Sequence, residues 1–271
     1  MKNYLIQFIT GIIFYKKAFV FLMNNKLLYF LIFPIIINIF LSYIGFYFTD
    51  MISNYLHDQM LLLINSKLDS VILEGGVLST LISISLWIIS KIFFIFLFLT
   101  CSGYLTILIL SPVFSFLSEK IAAIHNGYSN TLTLRQFLND ILRAGVIAFR
   151  NILIQLSLNI LFFLIGFFPV VGWVVSIFGN IIVTSYFYGF SFMDFSNERN
   201  RLSVKESVIF IRKKSGLAIG IGFVFYSCLL IPFVGSFLAS LLSVFSLTAA
   251  TLSFEEMNIN STAFQSTESL H

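Results

Sequence analysis

Leu27 to Phe48 is a run of 22 residues without a charge, and Val77 to Ser118 is a run of 42 residues with one, Lys91. About 20 apolar residues in a helix span the roughly 30 Å hydrocarbon core of a bilayer. Runs this long constrain the fold more than any other feature of the chain. Composition points the same way: 58% of residues are hydrophobic, 10% are charged and 34 are phenylalanine, with a mean hydropathy of +0.97. A soluble domain carries about 25% charged residues, so this chain has too few to coat a water-facing exterior. In lipid every backbone N–H and C=O must be satisfied internally, which leaves helices or a closed barrel. Barrel strands alternate strictly over about ten residues, and the continuous apolar runs exclude that pattern. The reading is an all-α integral membrane protein.

A single membrane domain is expected over 1–257. Residues 1–26 show no small-residue cleavage site, and Leu5, Phe8, Ile9, Ile12 and Ile13 share one helical face. This predicts an interfacial helix lying in the membrane plane. A first transmembrane helix follows over 27–48, kinked at Pro34, and its freed carbonyl needs a neighbour. Residues 49–76 carry Asp50, Asp58, Asp69 and Glu74 against Lys67, close on Gly75-Gly76 and read as an external amphipathic segment. A second long helix covers 77–118, either continuous or broken near Gly103 or Pro112. Asp140 and Arg143, three apart in the mixed stretch 119–151, have the spacing of a helical pair. The polar tail 258–271 is expected to be disordered.

The second half repeats one design. An apolar arm reaches Phe168-Pro169-Val170-Val171-Gly172 and a second arm returns; another pair of arms meets at Ile231-Pro232-Phe233-Val234-Gly235. Pro ends a helix and Gly permits a tight reversal, so 152–193 and 215–251 read as helical hairpins turning at Pro169, Gly172, Pro232 and Gly235. The second hairpin's arms, about 15 residues at 1.5 Å each, reach roughly 22 Å, short of a comfortable crossing. The hairpins therefore either cross or enter and turn back. Asp194 to Lys214 reads as a charged connector. Basic residues gather at the N-terminus, in 119–151 and in 194–216, which the positive-inside rule places in the cytoplasm, with 49–76 outside.

Enzyme chemistry finds no support. His57, His125 and His271 are isolated, no HExxH or GxSxG occurs, and the carboxylates read as loop residues serving solubility or local pairing. Cys101 and Cys228 read as small apolar residues. No catalytic residue, cofactor, metal or nucleic-acid partner is expected. Gly216, Gly220 and Gly222 look like a phosphate loop but lack a preceding strand, and small residues four apart allow close helix packing. Lys91 either faces a wet cavity, where it would attract an anion, or snorkels to an interface. Arg212-Lys213-Lys214 before Ser215 suits either an anion at a helix N-terminus or anionic headgroups.

Taken together, these pieces resemble the CysZ sulfate permease family, whose eukaryotic relatives are the etoposide-induced transmembrane proteins. The similarity runs from Phe8 to about Ser253. It rests on Tyr29 to Asn38, on Ser111-Pro112-Val113-Phe114 through Glu119-Lys120-Ile121, on Phe168-Pro169 with Gly172, on Tyr188 through Asp194 to Arg201, on Ile231-Pro232 and on Ala250-Thr251. The resemblance implies two long transmembrane helices, two partly inserted hairpins, homo-oligomers in a bacterial inner membrane, and sulfate entry for cysteine synthesis without ATP hydrolysis. It also implies an arginine pair just before the first long helix. Those positions are Leu28 and Tyr29 here, leaving Lys26 with Asn24 and Asn25 nearby. Candidate anion-binding residues are Lys26, Asn25, Lys91, Arg212 and Lys213. The alternative function is a non-transporting scaffold that shapes the membrane with wedge-like hairpins.

Overall fold

The computed structural model describes residues 2–68, 77–127, 134–231 and 234–268. Pro232, the 69–76 stretch with Asp69, Glu74 and Gly75-Gly76, and His271 lie outside the described residues. Described elements are helical throughout: α1 (Lys2–Asn24), a short 3₁₀ turn (Leu28–Leu31), α2 (Ile32–Leu68), α3 (Val77–Ile109), α4 (Ser111–Asn126), α5 (Leu134–Ile165), α6 (Val171–Arg199), α7 (Val204–Lys213), α8 (Ser215–Leu229) and α9 (Gly235–Glu268). Among the described residues, five stretches are long and apolar enough to cross a membrane: Asn3–Asn24, Leu28–Gln59, Gly145–Ile165, Val171–Arg199 and Gly235–Met257. Their outward faces are apolar, as at Ile36, Ile39, Phe40 and Phe46 on α2 and Phe163 and Leu164 on α5. A soluble surface rarely carries contiguous patches of that size. The chain is an all-α membrane protein, and these faces meet lipid.

Prolines set two of the boundaries. Pro34 is the third residue of α2, where the backbone N–H has no intrahelical partner in any case. The kink expected there falls instead in the first turn of α2, directly after the 3₁₀ turn. Pro112 follows the break between α3 and α4 at Leu110, since a proline deeper in a continuous helix would clash with the preceding turn. The α2 helix runs on to Leu68, well beyond Phe48, so most of the segment read as external is a continuation of the same helix. The α9 helix likewise continues past Asn258 to Glu268.

Two compact units emerge, 38–103 and the remainder. In the smaller one, Trp87 Nε1 donates to Asn54 Oδ1 at 3.1 Å. Lys91 Nζ lies 2.7 Å from Asp50 Oδ1 and 4.7 Å from the Trp87 ring centroid. In the larger unit, α8 packs between α1 and α6 and also meets α9. Glycine makes this possible. A Cβ on Gly222 would lie 1.8 Å from Ser185 O, and one on Gly189 1.8 Å from Ala218 O, so α6 and α8 touch backbone to backbone. On the opposite face a Cβ on Gly220 would lie 2.2 Å from Phe8 O and one on Gly216 2.5 Å from Tyr4 O. The packing reading of these glycines agrees with that arrangement.

The first hairpin turns on a γ-turn, with Val170 at φ 65°, ψ −70° and Val171 N–H donating to Pro169 O at 2.9 Å. A β-branched residue is strained there. Gly172 does not supply the positive φ that reverses the chain; among the described residues the one glycine with positive φ is Gly127. Its role is close approach, since a Cβ would sit 2.1 Å from Ile165 O. Gly235 repeats this at the same chain spacing, 2.5 Å from Cys228 O. The first tip is apolar and uncovered, with Phe167, Phe168, Val170 and Val171 each at least 70% exposed.

Three outcomes are expected from thermal unfolding in detergent. Gly222→Ala destabilises by about 1–3 kcal/mol through overpacking, while Gly145→Ala, with nothing within 4 Å of its Cβ, is neutral or gains up to about 1 kcal/mol of helix propensity. Val170→Gly raises the melting temperature, because releasing one strained residue recovers about 1 kcal/mol.

Candidate functional site

The C-terminal half of α6 is nearly all buried from Thr184 to Glu198, and it carries acid into the interior. Asp194 accepts from Arg143 of α5 through both carboxylate oxygens, at 2.9 and 3.0 Å. Ser207 of α7 also donates to Asp194, and Asn197 Nδ2 donates to Ser207 Oγ at 2.8 Å. Glu198 Oε1 accepts from Ser115 Oγ at 2.8 Å, and its Oε2 is 3.6 Å from Arg143 Nη1. Arg199 donates to Ser118 O at 2.8 Å and pairs with Glu255 of α9, whose other oxygen accepts from Asn126 Nδ2 at 2.8 Å. One network thus ties together α4, α5, α6, α7 and α9.

This overturns one sequence reading; the other, a pair between Arg143 and Asp140, falls on a side chain outside the described residues. The connector starting at Asp194 is not a solvated loop: α6 continues to Arg199, and Asp194 and Glu198 are buried. Arg143 pairs with a carboxylate 51 residues away, because α5 and α6 pack side by side. The i, i+4 spacing of Asp194 and Glu198 was a readable signal of one acidic helix face. The guanidiniums here are already committed to carboxylates, so the network locks helices and offers no free cation. Breaking a buried pair on one side costs about 3–5 kcal/mol. Arg143→Met is therefore expected to lose the monodisperse folded form in size-exclusion chromatography, and adding Asp194→Asn recovers part of it.

A second polar region lies where α1 meets α9. A cavity of about 410 Å³ is lined by Lys16, Lys17, Asn24, Asn25, His125 and Glu256, with Val20, Phe21 and Leu252 as apolar wall. Asn25 Nδ2 donates to Phe21 O at 2.8 Å, closing the end of α1. Lys17 Nζ sits 2.7 Å from both carboxylate oxygens of Glu256. A neighbouring cavity of about 200 Å³ is bounded by the same Glu256, with Gln7, Thr10, Lys214 and Ser253.

Of the five sequence candidates, Asn25 lines the larger cavity. Lys26 follows it, exposed and at φ 57°, as the left-handed residue that ends α1. Arg212 and Lys213 are exposed in the last turn of α7, where cations complement a helix C-terminus. The neighbouring Lys214 is the base that lines a cavity. Lys91 belongs to the smaller unit and pairs with Asp50. Lys16 and Lys17 belong to the basic N-terminus that the sequence reading used for orientation, and only the fold brings them to His125 and Glu256. At the 3₁₀ turn, Lys120 Nζ donates to Tyr29 Oη at 2.9 Å, so α4 brings a cation to a position where the resemblance implies an arginine.

The family described as sulfate transporter CysZ/etoposide-induced protein 2.4 matches residues 14–240. The chain belongs to this family. The match takes in the basic end of α1, the Asp194–Arg143 pair and both hairpin turns, and it stops before Glu255 and Glu256. Comparison with curated proteins finds no match in sequence. As the family's description is that of a transporter, a membrane transport role is the frame for the basic cavity.

Proposed function

We propose that this CysZ-family protein is a permease for sulfate or a related small oxyanion, with the cavity at the end of α1 as its anion site on the cytoplasmic side. The carrying observation is the convergence of Lys16, Lys17, Asn25 and His125 on one space of about 410 Å³. A dianion is costly to desolvate unless charge-assisted hydrogen bonds replace water, and two lysines with amide donors offer that replacement. Catalysis has no part in this reading.

In this reading α1 lies along the interface, because Lys16 and Lys17 fall mid-helix, where a crossing would hold them at hydrocarbon depth. At 15 residues, α8 reaches about 22 Å and enters the bilayer without crossing it. The uncovered apolar tip at Phe167–Val171 is immersed in lipid. The protein sits in a bacterial inner membrane as a homo-oligomer, with its N-terminus and basic segments cytoplasmic, and supplies sulfur for cysteine synthesis. The 1–257 stretch forms one membrane domain, and Lys26 and Lys120 add positive potential at that site. Passage is downhill or coupled to an ion gradient.

The test is uptake of radiolabelled sulfate by proteoliposomes, competed with unlabelled sulfate, phosphate or chloride. Uptake that sulfate blocks and chloride does not is expected, and Lys16→Ala lowers it roughly tenfold, as loss of a charge-assisted contact should. Absence of flux from folded, oriented protein would reject the permease and favour the scaffold.

A further inference from the structure

Glu256 lines both cavities at the α1–α9 contact and meets Lys17 between them. We propose that Glu256 is a built-in competitor for the transported anion: its carboxylate occupies Lys17 while the site is empty, and a tetrahedral oxyanion displaces it. This rests on the permease reading for the identity of the cargo, but the exchange at Lys17 is a separate claim.

Three observations carry it. The pair is poised to exchange. Its side chains are 47% and 41% exposed, and a pair in such surroundings is worth about 0–1 kcal/mol, so replacing one anion with another at Lys17 costs little. The adjacent Glu255 shows the opposite design, buried and held by Arg199 and Asn126. One carboxylate fixes α9 in place and the next faces open space. Second, Lys17 has a support that does not depend on Glu256. Its ammonium lies 4.6 Å from the Phe14 ring centroid, a cation–π distance. Third, further cations await the incoming anion on either side, Lys16 in the larger cavity and Lys214 in the smaller. Displacing Glu256 removes the negative charge shared by the two spaces and makes both favourable to one oxyanion.

The ligand chemistry is a sulfate- or phosphate-type group bearing at least one negative charge. It can arrive free or as the phosphate of a lipid headgroup, for which Val20, Phe21 and Leu252 would form the apolar side. The two sources separate experimentally.

Two measurements test the exchange. In wild-type protein, a water-soluble carbodiimide joins Lys17 to Glu256 when they touch, and mass spectrometry of the cross-linked peptide reports the yield. Saturating sulfate is expected to lower that yield at least threefold in phosphatidylcholine vesicles, while sodium chloride at equal ionic strength does not. If vesicles containing phosphatidylglycerol lower it and free sulfate does not, the displacing oxyanion is a lipid phosphate. Equal yields in all conditions, or equal suppression by chloride, overturn the proposal. In the uptake assay, Glu256→Gln lowers the half-saturating sulfate concentration by up to about fivefold, equivalent to about 1 kcal/mol, and Glu256→Asp stays near wild type. An unchanged or higher value for Glu256→Gln, in protein that elutes like wild type, also overturns it. A wild type that takes up no sulfate rejects the permease alone, since the cross-linking result stands independently.

Discussion

The larger unit depends on backbone contact at α8. This helix packs between α1 and α6, with α9 also against it, and the first two approach it through glycine: Gly189 and Gly222 at the α6 face, Gly216 and Gly220 at the α1 face. In lipid, association of apolar helices gains nothing from expelling water, so close van der Waals packing must supply it. Missing side chains let backbones meet, and close approach of α1 and α6 to one short helix then sets the spacing of everything around it. The cavities at the α1–α9 contact exist because α8 holds α1 in place while α9 packs on both.

Charge has two distinct roles in the same unit. Deep in the bundle, Arg143 and Arg199 are answered by Asp194, Glu198 and Glu255 with serine and asparagine donors around them. Burial makes such pairs expensive to break and hard to displace. At the edge, Lys17 and Glu256 make the same kind of pair with water at hand, where exchange is cheap. Consecutive residues of α9, Glu255 and Glu256, fall on opposite sides of this division. A helix turns about 100° per residue, so neighbouring carboxylates can face a packed seam and an open cavity.

Hydroxyl groups complete the interior. On α9 the hydroxyls of Ser240, Ser243, Ser246, Thr248 and Ser253 donate to carbonyls three or four residues back, as Ser243 does to Ser240 at 2.5 Å and Thr248 to Val244 at 2.7 Å. Such bonds satisfy the hydroxyl without a partner on another helix. Tyr15 is the counterexample, reaching from α1 to Ile221 O at 2.6 Å and to Ser246 Oγ at 2.7 Å. It joins α1, α8 and α9 through a single phenol.

Much of this architecture was legible in the residues. Long uncharged runs required membrane helices, Pro112 and Pro169 marked real breaks, and the glycines of α8 had the spacing of a packing face. These are local properties: apolar length, a missing N–H and a missing Cβ act wherever they occur in a chain. What the sequence could not determine was which distant side chains meet. Nothing local to Arg143 announced its partner Asp194, 51 residues away. Pro34 suggested a kink and instead falls in a first turn. Asp194 suggested a solvated connector and is buried, because α6 continues to Arg199. Lys16, Lys17, His125 and Glu256 line one cavity only because α1, α4 and α9 come together. A charge shows in a sequence, but its partner and its access to water are decided by tertiary packing, and those two quantities separate a lock from a binding site.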